Sequence, residues 1–151
     1  MATHLFTLQA NWPGGRNSVG EIEAGNLKTT VSIPKEMDGP NVGTNPDEML
    51  LGAAATCYMI TLAALLERAG IETEKQALVS EGYVDVTNGV FTYQKIIHKP
   101  TIVLMADATD AMRKKAQRLA EKAEETCMIS KAIKGNVQLE LEATISVAEV
   151  I

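Results

Sequence analysis

Cys57 and Cys127 are the two side chains of this sequence best suited to covalent chemistry. They lie 70 residues apart, which is neither a C-x-x-C redox motif nor half of a zinc set. The two histidines, His4 and His98, sit in strand-like segments without ligand spacing to either cysteine, so no metal is expected. Nothing else in the sequence requires a cofactor. A free cysteine is commonly a small core hydrophobe. Residue type alone therefore leaves core packing and nucleophilic chemistry both open.

The segments that carry the thiols narrow the choice. Cys57 lies within NPDEMLLGAAATCYM, residues 45–59. Asn45 as N-cap, Pro46 at the first helical position and acids in the first turn predict a helix start there. The helix should run to about Ala69, with Gly70 as its stop. A second helix is predicted over roughly Thr109 to Cys127, with Met112, Ala116, Leu119 and Ala123 at helical spacing. Cys127 follows Ala123 by four residues and continues that inward stripe. Being near a helix C-terminus, it meets a partial negative charge that disfavours a thiolate. Cys57 is mid-helix and desolvated, so both thiols would be inert if left alone. A reactive Cys57 needs a cation from elsewhere. Arg16, on the glycine-rich turn PGGRNS, is the candidate, although locally it reads as a solvated hairpin arginine.

The remaining chain supplies strands to position these helices. HLFTLQANW, SVGEIEA and NLKTTVSIP are three short strand-like runs punctuated by Gly14-Gly15 and Gly25-Asn26. Two longer runs, ALVSEGYVDVT and VFTYQKIIHKPTIVLM, meet at Asn88-Gly89 as a hairpin. VQLELEATISV alternates as one last strand. The order of meander, helix, hairpin, helix and strand predicts an α+β fold in a single domain over residues 1–151.

Bulk properties exclude several partner classes. Net charge is −5, against nucleic acid and anionic membrane as partners. The N-terminus lacks the basic start and apolar core of a signal peptide, so the chain is expected in the cytoplasm, where thiols stay reduced. Met49 to Leu66 has no charge and reaches the minimum length of a membrane span. Its Gly, Ala and Thr content and the lack of basic flanks favour a helix buried on every side instead. One small sheet covers only one face of such a helix, so a second subunit is expected on the other.

The motifs PGGRNS, GTNPDEMLLGAAATCYM and EETCMISKAIKGN, in that order, resemble those of the OsmC/Ohr family of thiol peroxidases. The resemblance runs from about residue 10 to the last strand. It implies an OsmC-like α+β fold with antiparallel sheets and two main helices. It also implies an intertwined homodimer with active sites at the subunit interface, and cysteine-based reduction of organic hydroperoxides. By position, Cys57 resembles the peroxidatic cysteine, Cys127 the resolving one, Arg16 the catalytic arginine and Asp47 its partner acid. The family usually has Glu at the place of Asp47 and Pro at the place of Met128. SKA is similar to the OsmC branch, and GRN and KGNV to the Ohr branch, so the branch stays open. The implied reductant is an external dithiol, in some members a lipoylated protein. An OsmC-like apolar-ligand binder without turnover, or a thiol redox sensor, is the alternative.

Ten residues of helix separate Asp47 from Cys57, a rise of about 15 Å. An antiparallel helix from a second subunit would set position 47 of one chain near 57 of the other. Their midpoint is Gly52, where two backbones could approach closely.

Overall fold

The computed structural model describes residues 1–150. The chain forms two compact units, Met1–Met49 and a second from Leu50 onward. In the first, β1 (Gln9–Asn11), β2 (Gly20–Ala24) and β3 (Leu27–Val31) make an antiparallel sheet in that order. The β2–β3 turn is Gly25-Asn26, with Gly25 at φ +60°. Trp12 donates from Nε1 to the Gly15 carbonyl at 2.9 Å and fixes the glycine turn. A Cβ on Gly20 would meet that indole at 2.6 Å, so only glycine fits below it. The first predicted strand is much shorter than expected. Residues 4–8, including His4, lie outside β1 and are exposed.

The helix α1 spans Pro46–Arg68. Asn45 caps it as predicted, its Oδ1 accepting from the Glu48 N–H at 2.9 Å. Gly70 ends it at φ +71°, and the N–H of Ile71 bonds back to the Leu66 carbonyl. Ala54, Tyr58, Leu62 and Leu66 form one buried stripe at four-residue spacing. Tyr58, Leu62 and Leu66 pack with Ala116, Ala120 and Ala123 of α2 (Asp110–Thr126) and with Ile102 and Leu104 of β5 (Val90–Leu104), while Ala54 packs with Ile96 and Val137. The small alanines on α2 leave room between the helices for the larger Tyr58 and Leu66 side chains of α1. Tyr58 crosses that gap to donate to the Ala120 carbonyl at 2.9 Å.

β4 (Thr73–Thr87) and β5 (Val90–Leu104) form a long antiparallel hairpin. Asn88 at φ +52° and Gly89 at φ +74° close it in two residues, as their sequence predicts. The predicted last strand is instead two, β6 (Gln138–Leu141) and β7 (Thr144–Val147), and both run parallel to β5. This sheet is therefore mixed rather than antiparallel. Pro100 of β5 accounts for the break. The carbonyls of His98 and Leu104 face β6 and β7, accepting from Glu142 and Ala148. Pro100 has the same parity, so its missing N–H falls on that side, where the ladder is interrupted between Leu141 and Thr144. A short helix, α3 (Met128–Ile133), follows α2 and was not expected.

Candidate active site

Cys127 is the joint between two helices. Its φ of −57° and ψ of 128° break the helical path for one residue. Its N–H still bonds to Ala123, closing α2, and its carbonyl accepts from Lys131, opening α3. The residue is fully buried, continuing the stripe of Ala116, Ala120 and Ala123 as the spacing predicts. It is thus a helix start as well as a helix end.

This joint brings Cys127 to Cys57, which is half-buried on α1. Burial pushes the Cys57 thiol up, but hydrogen bonds together outweigh it and leave the pKa below the ordinary thiol value. The donors are the Cys127 side chain, the backbone N–H groups of Ile129 and Met128, and the Thr61 hydroxyl. Thr61 also lies 2.8 Å from the Cys57 carbonyl, and its single proton serves either that oxygen or the sulfur. The backbone groups at the start of α3 are the steadier donors. The sequence-based expectation that Cys57 needs a distant cation is therefore incomplete: neutral amides within the same unit already favour its thiolate. Cys127 moves the other way. Burial and its bond to Cys57 push its thiol up, against weaker help from Ser130 and Ile129.

Behind Cys57, Tyr58 stacks on His98, with ring centroids 4.9 Å apart at 19°. His98 is fully buried on β5; its Nδ1 lies 2.7 Å from Ser80 Oγ, and Nε2 has no hydrogen-bond partner. Burial lowers its pKa and keeps the ring neutral. Among the described residues, no three His, Cys, Asp or Glu side chains group closely enough to hold a metal ion.

Arg16 sits on the turn of the first unit, where Nη2 donates to the Met37 carbonyl at 2.7 Å and Nη1 to Asn17 Oδ1 at 2.8 Å. The guanidinium is held by the 3-10 turn Lys35–Met37. Asp47 is half-buried in the first turn of α1. α1 is unbroken, so about 15 Å of helix separates Asp47 from Cys57, as the sequence implied. The structure thus assembles the two cysteines, while Arg16 and Asp47 belong to the first unit.

Sequence reasoning missed Thr61, one helical turn past Cys57, and the amides of Met128 and Ile129. Backbone donors leave no residue-type signal. The one trace is the abrupt end of the alanine stripe at Cys127.

Comparison with known proteins identifies the family. Residues 38–142 match the family described as OsmC-like protein. Bacillus subtilis YmaD, itself uncharacterised, is 64% identical over 96% of this chain and 97% of its own. The organic hydroperoxide resistance protein OhrB of the same organism is 30% identical over 91% of this chain and 97% of its own. An organic hydroperoxide resistance protein OsmC from Legionella pneumophila superposes with a TM-score of 0.74 at 28% identity, covering 94% of this chain and 99% of that one. In sequence and in fold, the chain belongs to the OsmC/Ohr family.

Proposed function

We propose that the protein is a thiol peroxidase that reduces organic hydroperoxides to alcohols. The observation that carries this reading is the pairing of a half-exposed, thiolate-favouring Cys57 with a buried, thiol-favouring Cys127. Opposed protonation preferences suit opposed tasks. The Cys57 thiolate attacks the terminal peroxide oxygen; the O–O bond breaks, the alkoxide takes a proton and leaves as alcohol, and Cys57 becomes a sulfenic acid. Cys127 then attacks the Cys57 sulfur, an S–S bond forms, and the hydroxyl departs as water. An external dithiol reduces the disulfide and returns both thiols. The chemistry uses protein thiols throughout and suits a reducing, cytoplasmic setting.

Arg16 and Asp47 complete the site in this reading, the guanidinium polarising the peroxide and the carboxylate orienting it. They serve Cys57 of a second copy. α1 supports such a homodimer: Gly52, Ala53, Thr56, Ile60 and Ala63 are exposed on an otherwise apolar helix, with Ile60 at 65%. That surface is hydrophobic enough to call for cover. Space around Gly52 is open, as close approach of a second helix requires. Apolar neighbours such as Met59, Ile60 and Met128 favour alkyl hydroperoxides over hydrogen peroxide.

The test is consumption of cumene hydroperoxide with dihydrolipoamide or dithiothreitol as reductant. Cys57→Ser should abolish turnover with little change in Tm. A wild-type protein that binds hydroperoxide but does not consume it would overturn the reading, leaving a binding or sensing role.

A further inference from the structure

Ser130 is the polar side chain beside the thiol pair that the steps above leave unused. It stands three residues past Cys127 in the first turn of α3, and only 3% of its surface reaches solvent. Its Oγ is buried without a hydrogen-bond partner of ordinary geometry. Buried hydroxyls are nearly always paired, so an orphan beside a group that changes charge points to a partner formed in another state. The group that changes charge is Cys127, whose thiolate both the N–H and the hydroxyl of Ser130 favour.

We propose that Ser130 is a positioning residue for Cys127, its hydroxyl donating to the Cys127 thiolate whenever that thiolate forms. This rests on the peroxidase reading. In the resolving step the Cys127 thiolate attacks the Cys57 sulfenic acid; the hydroxide lost from Cys57 takes up a proton as water, and Ser130 keeps its own proton. In the reductive step an incoming thiolate attacks Cys57, the half-buried residue of the pair, because Cys127 has no exposed surface. Cys127 then leaves with the electrons of the S–S bond. A buried thiolate is a poor leaving group unless something stabilises it, and the same hydroxyl does so. Ser130 thus lowers the barrier in both directions without touching the peroxide.

The experiment compares Ser130→Ala and Ser130→Thr in the full-length protein. The reduced protein is mixed with one equivalent of cumene hydroperoxide, quenched with an alkylating agent and weighed by mass spectrometry. Losing one charge-assisted donor at a buried sulfur removes about tenfold of the Cys127 thiolate. The rise in nucleophilicity offsets about half of that logarithm, leaving disulfide formation about threefold to fourfold slower. The sulfenic acid should therefore persist in Ser130→Ala, and Ser130→Thr should restore the rate. Independently, the thiolate absorbance of Cys127 is titrated in a Cys57→Ser background, where no peroxide chemistry is needed. Its midpoint should rise in Ser130→Ala and return in Ser130→Thr. An unchanged midpoint, an unchanged rate of disulfide formation, or a large fall in Tm in Ser130→Ala would overturn the proposal. If wild type consumes no peroxide, the peroxidase reading fails, while the titration still decides the role of Ser130.

Discussion

Replacing Met128 by proline should remove one donor to Cys57 and alter little else. Met128 is the first residue of α3, where proline is well tolerated. The preceding Cys127 already has ψ 128°, in the extended region that a residue before proline prefers. The Met128 side chain is 71% exposed, so its loss should cost about 0.5 kcal/mol or less. What disappears is the N–H that favours the Cys57 thiolate. A hydrogen bond to a charged group contributes about 1.5–3 kcal/mol when buried, and about 1 kcal/mol is reasonable at this half-exposed sulfur. That corresponds to about fivefold less thiolate at any pH below the titration midpoint. Removing a donor to the charged form raises the pKa, so the midpoint moves toward the ordinary thiol value. The assay is the rate of alkylation of Cys57 by iodoacetamide against pH in a Cys127→Ser background, with Tm as control. Met128→Ala keeps the N–H and should match its parent. A Met128→Pro midpoint that stays put or falls, with Tm preserved, would refute the role given to the amide. Because this position resembles one where OsmC/Ohr proteins usually carry proline, a raised midpoint in Met128→Pro would mean that this chain holds its thiolate with one donor more.

Three further outcomes follow. Cys127→Ser should consume about one equivalent of hydroperoxide and then accumulate sulfenic or over-oxidised Cys57 by mass spectrometry; continued turnover with dithiol would contradict its resolving role. Mixing and refolding Arg16→Ala with Cys57→Ser chains should restore about a quarter of wild-type activity, since about half the dimers are mixed and each holds one intact site; mixed dimers without activity would sink the shared site. Burial holds His98 below its ordinary value, so the unfolded chain takes up the proton first as pH falls below about 6.5. Stability is then lost from there down through the folded value, and Tm should drop between about pH 7 and pH 5 by more in wild type than in His98→Gln; equal drops would show that His98 titrates alike folded and unfolded.

Signals with local causes were legible in the sequence. Asn45-Pro46 and Gly70 bound α1 because caps and stops act through their nearest neighbours. Asn88-Gly89 closes the hairpin because both residues tolerate positive φ. Cys127 was legible as inward-facing from the alanine spacing of α2. Three features were not. The split of the last strand is caused by Pro100, about forty residues away and on another strand. α3 is too short to show a period. The donors to Cys57 are backbone groups, which every residue but proline possesses, so only three-dimensional placement distinguishes them.

The parallel docking of β6 and β7 sets a schedule for the ribosome. The hairpin of β4 and β5 joins through two residues and can zip as soon as both strands have emerged. The other edge of β5 must then wait for α2, α3 and the segment from Gln138 to Val147. During that interval Ile96, Ile97, Ile102 and Leu104, all buried in the finished fold, lie on a strand with one unpaired edge. An open, apolar edge of this kind recruits other chains. A ribosome stalled before Gln138, or a protease nick after α3, should therefore yield aggregates rather than a soluble fragment, and slow synthesis of the last segment should lower yield more than slow synthesis of the first sheet.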